Sequence, residues 1–389
     1  MQNVSSSNSQ AVNVPKLRFP GFTDAWQSSN IGCFGSFFKG APLSKADISE
    51  SGNPFILYGE LYTTYNEVAN EIVRKTEATV SEDYYSKIGD VIIPTSGETA
   101  EDIATATCVM KPGVILAGDL CIMRTSKIDG RFLSYTINHK VKYDIARIAQ
   151  GKSVVHIRPE EVEQVKVCYP GKPEQEKILH FIELLSQKIE KQKVLIESLK
   201  LYKRGVLQRL FKADLTEHEE NNIGSIFTVT RGYVLPVSEL RELPDNEYCY
   251  PVYSSQTKNE GLMGYYNQYL YEDAITWTTD GANAGFVRFR KGKFYCTNVC
   301  GVLLNGDGFS NEYIAERLNS VTKCHVSYVG NPKLMNNVMA EITIDYPPIE
   351  LQMKYSLLIS QIDKKIQIET SVSDALINLK GALLQQMFI

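Results

Sequence analysis

Two stretches of the sequence approach motifs that bind nucleotides or transfer methyl groups, and both fall short. The pair Gly151–Lys152 resembles the end of a phosphate-binding loop, but Ala146 stands where such a loop needs its first glycine. Residues 345–349, DYPPI, resemble an Asp-Pro-Pro-aromatic active site, but Tyr346 interrupts the motif and Ile349 replaces the aromatic residue. We interpret the second stretch as a strand-to-helix turn, because proline is tolerated in the first turn of a helix.

Three cysteines and one histidine form the group that most resembles a metal site: Cys296, Cys300, Cys324 and His325. Cys296 and Cys300 lie in a strand-like run, where their spacing places both thiols on one face. Zinc sites prefer Cys-x-x-Cys pairs on turns, and the sequence contains none. We therefore predict buried, reduced thiols and no bound metal. The histidines show no Ser/His/Asp or Cys/His signature, so the sequence predicts no active site and no enzymatic activity of its own.

Short apolar strands that end in basic or polar residues occur twice. IGCFGSFFKG at 31–40 returns as IGSIFTVTRG at 223–232, and both runs begin with Ile-Gly and end with a cation and a glycine. GDVIIPTSGE at 89–98 parallels EDAITWTTDG at 272–281, where a strand leads into a Thr/Ser-rich tip with a glycine. A repeat of nearly half the chain indicates a duplicated two-part protein.

Each copy ends in a long stretch with coiled-coil periodicity. The first row of seam positions is Ile178, Ile182, Leu185, Ile189, Gln192, Ile196, Leu199, Lys203, Val206 and Leu210. The second row is Tyr355, Ile359, Ile362, Ile366, Glu369, Ser373, Leu376, Lys380, Leu383 and Met387. The first helix would be about 50 Å long. The polar breaks recur in register, so we predict that the two helices pair within the chain.

Composition fits a protein of two or three domains. The 389 residues are 43% apolar and 22% charged, and the net charge of −4 only slightly disfavours nucleic-acid binding. The sequence has no apolar run that could span a membrane. Residues 1–14 lack the basic start and apolar centre of a signal peptide, and the scattered cysteines suggest reduced thiols. We expect a cytoplasmic protein.

These features predict an α+β protein with a pseudo-twofold internal repeat, in which two β-rich α+β globular domains are separated by two long antiparallel coiled-coil helices. The predicted order is a flexible tail at 1–14, a first globular domain at 15–169, a spacer helix at 170–211, an acidic linker at 212–222, a second globular domain at 223–345 and a second spacer helix at 346–389.

Two similar domains held apart by a helical rod suit a long periodic ligand. Duplex DNA is such a ligand, because half-sites on one face recur at each turn of about 34–36 Å. Cations at strand ends can bind phosphate or guanine, short polar side chains can reach base edges, and glycines allow close approach. The residues predicted to contact DNA are Lys39, Thr95, Ser96, Gly97, Lys152, Ser153, Arg231, Tyr233, Thr279, Asp280, Asn283 and Lys333.

Several motifs, taken together and in order, resemble the DNA specificity (S) subunit of type I restriction–modification systems, most closely the versions from Gram-positive bacteria. They are the lead-in VPKLRFPGFTDAW at 14–26, the loop QGKSVVHI at 150–157 and the helix opening PGKPEQEKI at 170–178. The helix ends LKLYKRGVLQRLF and INLKGALLQQMF also match. The diverged second helix opening departs from the pattern at Leu351, where the first has Glu174.

The resemblance implies the rest of the functional expectation. Each globular domain would be a target recognition domain that reads one half of a split, asymmetric double-stranded DNA site. The helices would set the spacer and dock two methyltransferase subunits, which two restriction subunits join. S-adenosylmethionine, ATP and Mg²⁺ would bind those partners, and this chain would hold no cofactor.

Two other readings stay open at the level of the sequence. One is a self-sufficient DNA methyltransferase or nuclease with a disguised site, which binding of S-adenosylmethionine or Mg²⁺ to the isolated chain would favour. The other is a coiled-coil scaffold whose domains bind protein or glycan. A steep salt dependence of DNA binding by the assembled complex would argue against that scaffold.

Overall fold

The computed structural model describes residues 13–151, 154–212, 219–255 and 258–389. Most of the tail predicted at 1–14 and of the linker predicted at 212–222 lies outside these ranges. The chain divides into two compact units, one ending at Lys191 and completed by Ser373–Ile389, the other formed by Gln192–Val372. Each unit contains one globular domain together with one end of each long helix.

The first domain is built from short strands and short helices. Its strands are β1 (Gln27–Asn30), β2 (Gly35–Lys39), β3 (Asn53–Leu57), β4 (Val68–Ala69), β5 (Arg74–Thr76), β6 (Asp90–Pro94), β7 (Ser96–Gly97), β8 (Thr107–Val109), β9 (Ile115–Ala117), β10 (Leu120–Thr125), β11 (Val155–His156) and β12 (Lys166–Tyr169). Its helices are α1 (Ala100–Ile103), α2 (Gly130–Thr136), α3 (Lys142–Ile148) and α4 (Pro159–Glu163), with a π-helical turn at Ile137–Val141. The central sheet has the order β2-β10-β6-β8-β4, and a smaller sheet has the order β5-β3-β9.

The first long helix, α5, spans Lys172–Phe211, and its 40 residues extend over about 60 Å. The second domain follows with strands β13 (Glu219–Asn222), β14 (Thr228–Arg231), β15 (Tyr250–Tyr253), β16 (Leu262–Tyr266), β17 (Tyr271–Thr278), β18 (Val287–Cys296), β19 (Cys300–Leu304) and β20 (Thr343–Tyr346). Its helices are α6 (Ile223–Ile226), α7 (Glu312–Val321) and α8 (Asn336–Glu341), and the second long helix, α9, spans Ile349–Met387.

The second domain is centred on a sheet with the order β14-β19-β17-β18-β15-β16. Strand β13 lies within the predicted linker and pairs with β20 just before α9, as β1 pairs with β12 just before α5. Trp277 is almost fully buried in the core of this domain, and its indole Nε1 donates to the carbonyl of Leu334 at 3.0 Å. A Cβ on Gly301 would lie 2.1 Å from the Trp277 ring, so the packing of this indole requires glycine there.

The long helices pair antiparallel, as predicted. In the first unit, Leu384 and Met387 near the end of α9 share a core with Ile178 and Ile182 near the start of α5. In the second unit, Leu210 near the end of α5 joins the cluster that contains residues near the start of α9. Every seam position predicted from the heptad pattern is buried or half-buried.

A glutamine anchors the start of each long helix in the same way. Gln175 Nε2 donates to the carbonyl of Pro170 at 2.8 Å, and its Oε1 accepts from the Asp129 amide at 3.0 Å. Gln352 Nε2 donates to the carbonyl of Pro347 at 2.8 Å, and its Oε1 accepts from Asn311 Nδ2 at 3.0 Å. Asp129 and Asn311 are themselves the N-caps of α2 and α7. This shared arrangement confirms the internal repeat.

The two copies of the repeat differ in the first turn of the long helices, where Glu174 of α5 corresponds to Leu351 of α9. Glu174 accepts hydrogen bonds from Nε and Nη2 of Arg18, both at 2.7 Å, and one from Trp26 Nε1 at 3.4 Å. The Glu174 side chain is buried, and the pair ties the lead-in segment to the start of α5. Leu351 stands at the corresponding place in α9 and cannot accept such bonds. No helix among the described residues combines the length and the apolar character that a transmembrane span requires.

Candidate nucleic-acid interface

In the first domain, the predicted cation and the predicted polar tip lie at the same end of the central sheet. Cys121 of β10 pairs with Lys39 of β2 on one side and with Ile93 of β6 on the other. Thr95 follows β6 directly, and its amide donates to the carbonyl of Asp119 at 2.8 Å. Two strand spacings separate Lys39 from Ile93, which is roughly 10 Å. The exposed Lys39 can therefore serve the same ligand as the tip.

The tip residues Ser96 and Gly97 form β7, which pairs with β11. Ser96 is buried, and its Oγ lies 2.9 Å from Nδ1 of His156. The backbone groups of Gln150 and His156 bond each other at 2.9 and 2.8 Å, which closes the loop between them. The structure thus brings Gln150 and strand β11 close to the tip. Lys152 and Ser153 of that loop lie outside the described residues.

In the second domain, the corresponding strands have the same layout. Gly301 of β19 pairs with Arg231 of β14 on one side and with Trp277 of β17 on the other. The amide of Thr278 donates to the carbonyl of Phe286 at 2.9 Å, and the amide of Gly285 donates to the carbonyl of Thr278 at 2.9 Å. These bonds close a hairpin loop at the end of β17. Both domains therefore place an exposed cation and a polar tip at one sheet edge.

The loop that begins at Thr279 is held by a second loop. Thr279 is buried, and its Oγ1 donates to the carbonyl of Val299 at 3.0 Å. Asp280 lies 3.7 Å from Nζ of Lys333, and the two residues form a β-bridge. The amide of Gly281 donates to the carbonyl of Pro332 at 2.9 Å. Asp280 and Lys333 consequently form one surface whose backbone is fixed from both sides.

Gly281 and Asn283 lie in the loop that begins at Thr279, and Tyr233 lies beyond the end of β14. Gly281 has a φ of +96° and open space around it, as a glycine turn at a loop tip requires. Asn283 is half-buried, and its carbonyl accepts from the Phe286 amide at 3.0 Å. Tyr233 follows the end of β14, and 62% of its surface is exposed. An exposed ring beside a cation suits stacking or backbone contact with nucleic acid.

The prediction of buried thiols is confirmed for Cys296 and Cys300 and is wrong for Cys324. Cys296 and Cys300 are buried, and burial raises the pKa of Cys300 to about 11. Cys324 is exposed. Within the described ranges, no group of histidine, cysteine and carboxylate residues is arranged to hold a metal ion.

Comparison with known proteins identifies the family. The pattern of the type I restriction modification DNA specificity domain matches residues 23–201 and again residues 216–378. The chain belongs to this specificity family. The two matches fall on the two copies of the repeat, each of which joins a globular domain to a long helix.

Two curated members of the specificity family come from Mycoplasma pneumoniae. A type I specificity subunit is 35% identical over 162 residues, which cover 41% of this chain and 52% of that protein. The specificity subunit of the type I restriction enzyme MpnII is 30% identical over 161 residues, which cover 41% of this chain and 47% of that protein. The chain thus spans about half the length of these relatives.

The fold of the specificity family is seen in a crystal structure of a type I restriction–modification S subunit from M. genitalium. It matches this chain with a TM-score of 0.67 at 18% identity and covers 97% of this chain and 99% of that one. At this identity the likeness concerns the fold, which agrees with the predicted arrangement of two domains and two long helices.

His156 lies at the candidate interface but is not predicted from the sequence. His156 carries no catalytic signature and is not among the predicted contacts, yet its side chain contacts Ser96 of the tip and its backbone bonds that of Gln150. The available signal was its place in the loop QGKSVVHI, which is one of the motifs that carry the family resemblance.

Proposed function

We propose that this chain is the non-catalytic specificity subunit of a type I restriction–modification complex and recognises a bipartite, asymmetric double-stranded DNA site. One observation carries the proposal: each of the two domains presents a cation at a strand end beside a fixed polar tip, and each is attached to the long helices. The tip of the first domain reads TSG at 95–97. The tip of the second domain reads TDG at 279–281 and is joined by the loop that contains Lys333. Because the two tips differ, we expect the two half-sites to differ as well.

Within this proposal the predicted residues divide into two roles. Lys39, Arg231 and Lys333 are exposed enough to bind phosphate or, for Arg231, guanine. Asp280 and Asn283 are partly exposed polar groups that can reach base edges. Ser96, Gly97 and Thr279 are buried and hold the tips in place, while Thr95, Lys152, Ser153 and Tyr233 complete the proposed contact set.

The proposed complex includes subunits that supply the chemistry. Two methyltransferase subunits would dock on the chain and bind S-adenosylmethionine. Two restriction subunits would join them and bind ATP and Mg²⁺. The assembly would act in the cytoplasm, and this chain would select the DNA on which its partners act.

The test is methylation by a reconstituted complex. The chain is co-expressed with its methyltransferase partner, and the methylated positions of the host genome are mapped. We expect one bipartite motif with two different halves, and no methylation by either subunit alone. Methylation by the isolated chain, or methylation by the partner alone at the same sites, would contradict the proposal.

A further inference from the structure

A small cleft opens beside the hairpin loop of the second domain. Arg288 of β18 pairs with Thr276 of β17, so their side chains share one face of the sheet, and Thr278 lies on the same face. Trp277 points to the opposite, core-facing side. Arg288 follows Phe286, the residue that closes the loop, by two positions. The cleft therefore lies at the base of the predicted DNA-contacting tip.

The size of the cleft limits what can enter it. Its volume is about 90 Å³, and the hydroxyl groups of Ser254, Thr276 and Thr278 line it together with two guanidinium groups. Water occupies about 30 Å³ per molecule in the liquid, and drug-sized ligands need roughly 300 Å³ or more. The cleft is thus too small for a flipped nucleotide. It admits the edge of a base or the oxygens of one phosphate.

One guanidinium group is a fixed part of the wall. Arg290 is only 9% exposed, its Nε donates to Thr276 Oγ1 at 3.2 Å, and its Nη2 donates to the carbonyl of Glu260 at 2.9 Å. The ring of Tyr253 lies 3.8 Å below it. Burial lowers the pKa of Arg290, and it outweighs the neighbouring groups that raise that pKa, of which Tyr253 has the largest effect. Its position makes the cleft attractive to an electron-rich ligand.

The second guanidinium group lacks a full set of partners. Nη1 of Arg288 lies 3.0 Å from Oε1 of Glu260, and its guanidinium carbon lies 5.0 Å from the centre of the Phe286 ring. Nε of Arg288 is buried and makes no hydrogen bond to any described residue. An unsatisfied buried donor is costly, and a guanidinium presents its donors as a fork that fits two acceptor atoms at once.

Glu260, the present partner of Arg288, is held in an uncommon conformation. Its φ is +57°, a left-handed value that residues other than glycine rarely adopt. Its carbonyl is bound by Arg290, while 61% of its side chain is exposed. An exposed carboxylate on a fixed backbone is a counter-ion that another acceptor can displace, because an exposed ion pair contributes little free energy.

We infer that Arg288 exchanges Glu260 for DNA and donates two hydrogen bonds to a pair of acceptor atoms in the second half-site. That pair is either the O6 and N7 atoms of a guanine or two oxygens of one phosphate. Glu260 occupies the position of the DNA acceptor in the free protein and so disfavours DNA that offers no matching acceptor. This inference rests on the proposed function and extends it to a residue outside the predicted contact set.

The experiment uses the complex reconstituted with its methyltransferase subunit. Arg288→Gln and Arg288→Lys are compared with wild type on the mapped target, on each single base-pair substitution of the second half-site, and across a salt series. A guanine contact predicts that discrimination at one G·C pair falls about 5- to 150-fold in both variants. A phosphate contact predicts uniformly weaker binding for Arg288→Gln and a salt slope smaller by about one.

Arg241→Gln is the matched control. Arg241 also pairs with a carboxylate, Asp245, and lies over an aromatic ring, that of Tyr248 at 4.1 Å, but it is outside the cleft. Thermal unfolding checks that each variant is folded. Glu260→Gln leaves Arg288 in place, and we expect it to bind non-cognate DNA more tightly than wild type.

Two results would overturn the inference. One is wild-type discrimination and salt slope in both Arg288 variants. The other is unchanged or weaker non-cognate binding by Glu260→Gln, which decides the matter if Arg288→Gln does not fold. These results differ from failure of the proposed function itself, in which the wild-type complex would methylate no bipartite site.

Discussion

Glu67 connects the first domain to the second long helix through its carboxylate. Oε1 lies 2.6 Å from Nε2 of His139, and Oε2 lies 4.0 Å from Nζ of Lys380 on α9. Burial raises the pKa of Glu67, but the hydrogen bond with His139 and the charge of Lys380 together outweigh burial and leave the pKa below its ordinary value. The ionised carboxylate is thus favoured in the folded state.

This shift predicts a pH-dependent contribution to stability. Because the folded-state pKa is depressed, the contribution is present above the ordinary pKa of a glutamate and is lost as the pH falls through the folded-state value. We expect Glu67→Gln to lower the free energy of unfolding by about 1–3 kcal/mol at pH 7. The difference from wild type should shrink in acid, as measured by urea unfolding between about pH 7 and pH 3.

Glu71→Gln serves as the control, since 93% of that side chain is exposed. It should change the free energy of unfolding little at any pH. If Glu67→Gln lowers the free energy of unfolding by the same amount at every pH, the Glu67 side chain contributes through packing and not through its charge.

At the scale of the element, the polar residues that interrupt the apolar seams of the long helices form hydrogen bonds and ion pairs. Gln192 Nε2 donates to Oε2 of Glu369 at 2.6 Å, which joins α5 and α9 across the seam. Lys203 instead reaches Glu316 of α7 at 2.6 Å and Asp363 of α9 at 2.7 Å. It therefore fastens the second domain to both helices. Such polar positions favour one helix register over others.

Removing the Lys203 ammonium group should loosen this junction. Lys203→Met leaves the partly buried carboxylates of Glu316 and Asp363 without a cation, and we expect the free energy of unfolding to fall by about 1–3 kcal/mol. Lys200→Met is the matched control. Lys200 makes an exposed pair with Glu197 on the same helix, which should contribute at most about 1 kcal/mol.

Chemical denaturation of the full chain, read by circular dichroism, compares the two variants. Equal effects of Lys203→Met and Lys200→Met would show that Lys203 is an ordinary surface lysine and would remove it from the junction between domain and helices.

The long helices can be predicted because the heptad pattern is local in sequence. The contacts that hold the domains together join residues far apart in sequence and cannot be predicted in this way. A heptad pattern follows from 3.6 residues per turn and needs no knowledge of the rest of the chain. The side-chain amide of Asn138 accepts from the backbone amide of Ala106 at 2.9 Å and donates to its carbonyl at 2.7 Å. Asn319 forms the same two hydrogen bonds with Val287, both at 2.7 Å. Each pair of bonds depends on which strand lies beside which helix, so a lone asparagine in the sequence does not reveal it.

The candidate interface likewise contains residues that the sequence repeat predicts and residues that only the fold brings together. The paired runs that end at Lys39 and Arg231 were recognised from the repeat, and both residues occupy matching positions in their sheets. His156 and Arg288 are not among the predicted contacts, because a single histidine or arginine is common and only the fold brings His156 beside Ser96 and Arg288 beside Thr276. Under the proposed function, the base that each tip would read depends on loop geometry, which the repeat does not encode.

At the scale of the whole molecule, the proposed function assigns DNA reading and half-site spacing to different parts. The two globular domains carry the cations and polar tips, and the two long helices carry a seam that is independent of those tips. We expect a change in helix length to alter the distance between half-sites without altering their sequences. Four residues add about 6 Å to a helix, which corresponds to one or two base pairs of DNA.

The most direct measurement is therefore the methylated motif of a complex with lengthened helices. Four residues are inserted after Gln192 in α5 and after Glu369 in α9, so that the antiparallel pairing is kept on both sides of the insertion. Genome-wide mapping of methylated bases should return both wild-type half-sites with a spacer one or two base pairs longer. A changed half-site sequence, or an unchanged spacer in an active complex, would contradict the division between domains that read and helices that measure.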